Sequence, residues 1–108
     1  MNRGNVYWVD IPAKTPAGRE IAKSRPCVVV SVPALNAHRS TIVMIPLSSN
    51  NKAYPPISIA VPSVGVGSVA ICDQLLAVDK KRLGKEAGTL NRAEMKEIED
   101  SLRGILGL

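Results

Sequence analysis

The sequence predicts a mainly β domain that ends in one amphipathic helix. Short apolar runs recur along the chain, each bounded by proline, glycine or small polar residues, which is the pattern of short strands. Aromatic residues are few (one Trp, two Tyr and no Phe), so a core must be assembled from Val, Ile and Leu, and the β-branched members of that set favour strands. Only the last stretch changes to a helical period. At 108 residues the chain is expected to form a single domain, residues 1–108, because two would leave neither half enough chain to bury a core.

The elements follow in order. Val6 to Ile11 reads as a first strand stopped by Pro12, and residues 12–24 form a long connection with two prolines and a glycine. A second strand, Pro26 to Val32, is an unbroken apolar run, which implies burial on both faces. Thr41 to Leu47 is a third strand, with Pro46 suggesting an edge or a bulge near its end. Ile57 to Val61 alternates as a fourth. Ser68 to Cys72 and Leu75 to Val78 are either one bent strand or two, and Lys80 to Gly84 reads as a helical turn closed by the glycine. The terminal helix is the clearest element. Asn91 is placed to cap it, Glu94 to return a bond as in a capping box, and Met95, Ile98, Leu102 and Ile105 fall on one face, with Gly104 weakening its end. The total is five to seven short strands and one helix.

Lys and Arg number 14 against 9 Asp and Glu, a net charge of +5. The charge is uneven. Residues 91–108 hold three basic and four acidic side chains, so the first 90 residues carry the whole excess. A basic body attracts polyanions by counterion release, which makes nucleic acid a candidate partner. Cys27 and Cys72 lie in apolar runs, with no close cysteine or histidine spacing that would build a zinc site. Both are expected to be buried thiols of a cytoplasmic protein with no membrane partner.

Cleaving RNA without a metal needs a base for the 2′-hydroxyl, a cation for the charge on phosphorus and an acid for the leaving oxygen. Arg25 precedes Pro26, so its backbone is held extended at the mouth of the second strand, and its guanidinium suits phosphate. A solvated loop arginine is the plainer alternative. Ser48 and Ser49 end the third strand and can bind a phosphate oxygen or simply form a turn. Glu20 and Asp73 are the better proton acceptors at neutral pH. His38 is the single imidazole, which excludes a two-histidine acid–base pair.

The order of these pieces carries more than any one of them. Arg3-Gly4-Asn5-Val6-Tyr7-Trp8-Val9-Asp10, then Gly18-Arg19-Glu20 before Arg25-Pro26-Cys27-Val28-Val29-Val30-Ser31, resembles the MazF/PemK toxins. The resemblance continues through Ala34-Leu35-Asn36, Ile45 to Ser49, Ser68 to Gln74 and Val78 to Leu83. It implies an SH3-like barrel of five to seven antiparallel strands with a C-terminal helix, forming a homodimer. It also implies a sequence-specific endoribonuclease that cuts single-stranded RNA to a 2′,3′-cyclic phosphate and a 5′-hydroxyl, with no metal and no cofactor, held in check by an antitoxin peptide.

Carried over by motif, Arg25, Ser48, Glu20 and Asp73 are the expected catalytic set, and Arg19, Lys23, Asn36, Ser49 and Gln74 the expected RNA contacts. Three positions depart from the family pattern. Serine stands for threonine at 48, keeping the hydroxyl and losing a methyl that restricts its rotamer. Arg19 replaces a histidine, and Ile71 replaces an arginine, of one branch of the family. The expected mechanism is therefore the one built on Arg25 and Ser48, with Glu20 or Asp73 moving protons. The alternatives are a gyrase-directed toxin of the CcdB type, which works through aromatic C-terminal residues this chain lacks, and a non-cutting barrel that binds RNA or a partner.

Overall fold

The computed structural model describes residues 1–11, 23–49 and 52–108. Seven strands, β1 (Asn5–Ile11), β2 (Lys23–Val29), β3 (Thr41–Ser48), β4 (Ser58–Ala60), β5 (Val69–Ile71), β6 (Leu76–Asp79) and β7 (Leu83–Thr89), pair antiparallel throughout. Helix α1 (Pro33–His38) lies between β2 and β3, and helix α2 (Arg92–Leu106) follows β7. The strand order is β4-β5-β3-β2-β1-β7, with β6 also on β3.

Strand β3 is the hub. Its residues Met44 to Pro46 pair with β2, Thr41 to Met44 with β6, and Leu47 and Ser48 with β5. Pro46 is therefore not on an edge strand. It falls at the handover between β6 and β5, where one side of β3 has no partner, and a residue without an amide hydrogen is tolerated there. The segment Cys72–Gln74 is a 3-10 turn, so the run after Ser68 is two strands rather than one bent strand.

The sheet is covered on both faces, as the apolar run in β2 predicts. Val28 joins Val6, Ile45, Leu47, Ile59, Met95 and Ile98 in one buried cluster under α2. Its neighbours Cys27 and Val29 point the other way, into a second cluster with Val9, Ile42, Met44 and Val78. Among the described residues no ladder joins β4 to β7. The sheet is therefore open at that seam rather than a closed barrel; the 3-10 turn Pro62–Val64 packs beside β7, and Val64 and Ala87 pack on the first cluster.

Two elements differ from the sequence expectation. Strand β7 (LGKEAGT) has two glycines and almost no apolar alternation, so its pairing with β1, broken by two register shifts, is a tertiary outcome. Gly84 belongs to that strand and does not close a turn; the 3-10 turn before it is Lys80–Arg82. Strand β2 ends at Val29, short of the expected Val32, and the unexpected helix α1 begins at Pro33. Pro33 suits a first helical turn, and the helix is six residues long. At the other end, Gly4 takes φ +93°, which puts its amide on the Val29 carbonyl (2.8 Å) and its carbonyl on the Leu90 amide (2.9 Å). The Arg3-Gly4 pair thus ties the first strand to the end of β2 and the start of α2.

Helix α2 begins as its sequence requires. Asn91 accepts from the Glu94 amide (2.8 Å), and Glu94 Oε1 accepts from the Asn91 amide (2.9 Å). The other carboxylate oxygen of Glu94 accepts from the Ser63 amide (2.9 Å), so one buried side chain pins the helix to the seam turn. Burial alone would push this carboxyl up, but its hydrogen bonds to Ser63 and Asn91 outweigh that and hold it below the ordinary glutamate value. Met95 and Ile98 are buried, Leu102 is half-buried, and Ile105 is largely outside the core, so the helix packs through its first three turns.

Glu94→Gln should lower stability by about 1–3 kcal/mol at neutral pH, read from urea unfolding. The charged form is favoured in the folded state. Its contribution is therefore fully present above the unfolded glutamate value and is lost as the pH falls through the depressed folded value. The gap between wild type and Glu94→Gln should accordingly close in acid.

Candidate active site

A cleft opens where β2 and β3 part. Their last recorded pair is Cys27 with Pro46. Continuing that register one step would pair Pro26 with Leu47, and the next step would pair Arg25 with Ser48. Neither pairing forms. Pro26 has no amide hydrogen to offer β3, β3 turns to β5 at Leu47, and the N-terminal half of β2 stays on β1 alone. The space left between them is a cleft of about 490 Å³, within the range of small-ligand sites.

The parting strands furnish its walls. Val6, Trp8, Ser24, Arg25 and Pro26 come from β1 and β2; Leu47, Ser48 and Ser49 come from the end of β3. Val64, Ser68 and Ala87 complete it. Arg25 is the single charged side chain in the described lining, and it is exposed, with no hydrogen bond or ion pair from its guanidinium to a described residue. Ser48 is half-buried and Ser49 exposed. The cleft is thus a slot with one apolar wall, four serine hydroxyls and one cation. That arrangement can bind an anionic group at the Arg25–Ser48 end while an apolar ring lies along the wall.

The structure brings together three of the residues singled out by sequence: Arg25, Ser48 and Ser49. Glu20 and Arg19 lie outside the described residues. Lys23 opens β2 opposite Ile11, and its side chain is likewise outside them. Asp73 and Gln74 do not line the cleft. Strand β5 runs antiparallel to β3 from Val69, opposite Ser48, so each later residue moves away from Ser48, and Asp73 sits roughly 10 Å further along on the Cys72–Gln74 turn, exposed. The expectation that Asp73 moves a proton beside Arg25 is not met by this geometry within one chain.

Asn36 is also elsewhere. It is buried in α1, where its amide nitrogen donates to the carbonyls of Ser31 (3.0 Å) and Met1 (3.2 Å), and its oxygen accepts from the Ser31 hydroxyl. Every group it could offer RNA is already engaged, so it braces the chain between β2 and β3. His38 is exposed on the last turn of α1.

Sequence reasoning overlooks Trp8, Ser24 and Ser68. The signal for Trp8 was present: a lone tryptophan in a chain poor in aromatics, next to a valine that a strand must bury. What the sequence could not show is that Trp8 is 42% exposed. Gly84 of β7 lies against it. A Cβ at Gly84 would stand 3.2 Å from the Trp8 carbonyl oxygen, so β7 approaches this closely only because it has no side chain there.

The two thiols take no part in the cleft. Burial pushes Cys27 up to about 11 although Arg25 nearby pulls it down, and its sulfur donates to the Arg25 carbonyl (3.8 Å). Burial also raises Cys72, opposed by its contact with Ser101 and aided by Asp73. Among the described residues no three His, Cys, Asp or Glu side chains come together as a metal-ligating group.

The chain matches a family described as PemK-like, MazF-like toxin of type II toxin-antitoxin system, over residues 2–106. It is similar to Endoribonuclease MazF9 of Mycobacterium tuberculosis, 28% identical over 113 residues that cover 95% of this chain and 93% of that protein. Among solved structures it resembles an endoribonuclease from a mycobacterial species (TM-score 0.81, 27% identity, covering 100% of this chain and 92% of that one). It also resembles a mycobacterial endoribonuclease in complex with its cognate antitoxin (TM-score 0.80, 25% identity, 100% and 96% covered).

Two outcomes follow from this geometry. Asn36→Ala should cost about 1–3 kcal/mol in urea unfolding while leaving turnover of bound substrate unchanged, because it acts on the frame and not on the cleft. Iodoacetamide at pH 8 should label Cys27 and Cys72 only after unfolding, since both remain buried thiols; rapid native labelling would contradict their placement.

Proposed function

Because the chain belongs to the PemK-like, MazF-like toxin family, we propose that it is an endoribonuclease that cuts single-stranded RNA at preferred sequences, as the toxin of a toxin–antitoxin pair. The whole chain acts as one domain. The observation that carries the reading is the cleft at the parting of β2 and β3, with Arg25 and Ser48 on strands whose register faces them across the gap.

In this reaction the ribose 2′-oxygen attacks the adjacent phosphorus, the bond from phosphorus to the 5′-oxygen breaks, and the products are a 2′,3′-cyclic phosphate and a 5′-hydroxyl. The proton of the 2′-hydroxyl passes to a base, and the 5′-oxygen gains one as it leaves. Arg25 binds the non-bridging oxygens as negative charge grows on them, a role its fixed cation and forked donors suit better than proton transfer. Ser48 holds a phosphate oxygen by its hydroxyl. Nothing in the chemistry requires a metal ion, because the guanidinium supplies the positive charge. With Asp73 away from the cleft, Glu20 is the remaining carboxylate of the expected set and is assigned the base.

The mycobacterial complex holds an endoribonuclease with its cognate antitoxin. By analogy, an antitoxin segment blocks the same cleft here, and two copies of the chain form the working toxin. Its place is the cytoplasm, where its substrate is; among the described residues no helix is long and apolar enough to cross a membrane.

Purified protein incubated with a long unstructured RNA in EDTA should give discrete cuts with 5′-hydroxyl ends. Arg25→Ala, with an unchanged melting temperature, should lose at least about 100-fold in rate, the scale of removing one donor to a developing oxyanion. Cutting at the wild-type rate by that variant would remove Arg25 from the chemistry.

A further inference from the structure

We propose that Trp8 is a nucleobase platform: its indole stacks on a base of the RNA strand next to the phosphate held by Arg25. The proposal rests on the RNA-cutting reading above and adds the subsite that grips the substrate.

A tryptophan 42% exposed leaves on the order of 100 Å² of apolar ring open to water, in a chain whose other large buried side chains are almost all aliphatic. Burial was within reach, since Val6 and Val9 on the same strand are fully buried. The backbone that carries the ring is also held in place, with β7 passing it at the register shift between Tyr7 and Val9. Its strand is paired on both sides, to β2 and to β7, and Gly84 lets β7 close against the Trp8 backbone. A ring held on a rigid strand loses little freedom when it meets a ligand.

Its surroundings select the ligand. Trp8 is directly opposite Pro26, so the two rings share a face of the sheet, roughly 5 Å apart at Cβ. Pro26 is bonded to Arg25, which sets the apolar wall one residue from the cation. Around that wall are the hydroxyls of Ser24, Ser48, Ser49 and Ser68, and no carboxylate lies in the described lining. A flat apolar surface, a hydroxyl rim and an adjacent guanidinium match the parts of a nucleotide in order: base face, base edge and sugar, phosphate. Aromatic platforms beside a basic groove are the general means of gripping single strands, because every base has a π-face. An apolar peptide would gain from the wall but would have no use for the cation.

The chain has one tryptophan, so its fluorescence reports this position alone. The probe is a short oligoribonucleotide carrying the cut sequence mapped with wild type, with 2′-deoxyribose at the attacking position so that it binds without being cut. The structure leads us to expect a saturable change in emission on titration. Trp8→Leu keeps apolar bulk and loses the π-face; it should raise KM about ten-fold or more while kcat at saturation stays within about two-fold. Trp8→Phe should recover most of the loss, and circular dichroism and melting should confirm that both variants fold.

Saturable binding of the probe with unchanged emission, or a Trp8→Leu enzyme with wild-type KM, overturns the platform while the RNA-cutting reading stands. Emission that responds to an antitoxin peptide but not to the probe assigns the wall to that peptide and overturns it as well. A wild-type protein that neither binds nor cuts RNA defeats the reading beneath, and this shows in the cleavage assay before any Trp8 variant is made.

Discussion

The end of the β2–β3 ladder is the constraint on which the rest depends. A strand pair normally continues until one strand runs out, but here both strands continue past Cys27 and Pro46 while their pairing does not. Pro26 has no amide hydrogen to offer at the next step of that ladder. Strand β3 goes on to pair with β5 through Leu47 and Ser48. Where this pairing ends, the cleft lies between the separated strand ends.

Such a cleft needs a rigid frame, since a displacement of about 1 Å at a reacting group is costly to catalysis. The frame is supplied by polar tethers at points that carry no chemistry. Glu94 joins α2 to the seam turn, Gly4 joins β1 to β2 and α2, and Asn36 joins α1 to Ser31 and to the first residue. Arg3 adds a bond to the Val30 carbonyl (3.0 Å) and an ion pair with Glu99 (2.5 Å). That pair is about one-third exposed on each side (36% and 33%), so its worth is under about 1 kcal/mol and its role is to orient rather than to stabilise. Buried tethers hold the frame, and the serines and arginine that line the cleft are left to bind.

The candidate site was legible in part. Arg25 was found because proline restricts the residue before it, and Ser48 because a hydroxyl at a strand end is open to a ligand. By sequence Trp8 is a strand residue like its neighbours, since alternation along β1 says which residues share a face and not which face meets a cleft. Asn36 and Asp73 were carried by motif. The motif preserves order along the chain, whereas distance from Ser48 depends on the direction of β5 and the burial of α1, neither of which a motif contains.

The sequence by itself determined the apolar runs that form strands before Leu83, the two-sided burial of β2 and the whole start of α2, down to the reciprocal bonds of Asn91 and Glu94. These rest on interactions among residues close in the chain or on the hydrophobic period of one element. Only the tertiary structure decided that Pro46 lies in the hub strand, that the glycine-bearing segment Leu83–Thr89 is a strand, and that Trp8 faces the same space as Arg25. Each of these depends on which strand lies alongside which. Pairing between distant segments is settled by the fit of the assembled sheet, and no single segment carries that information.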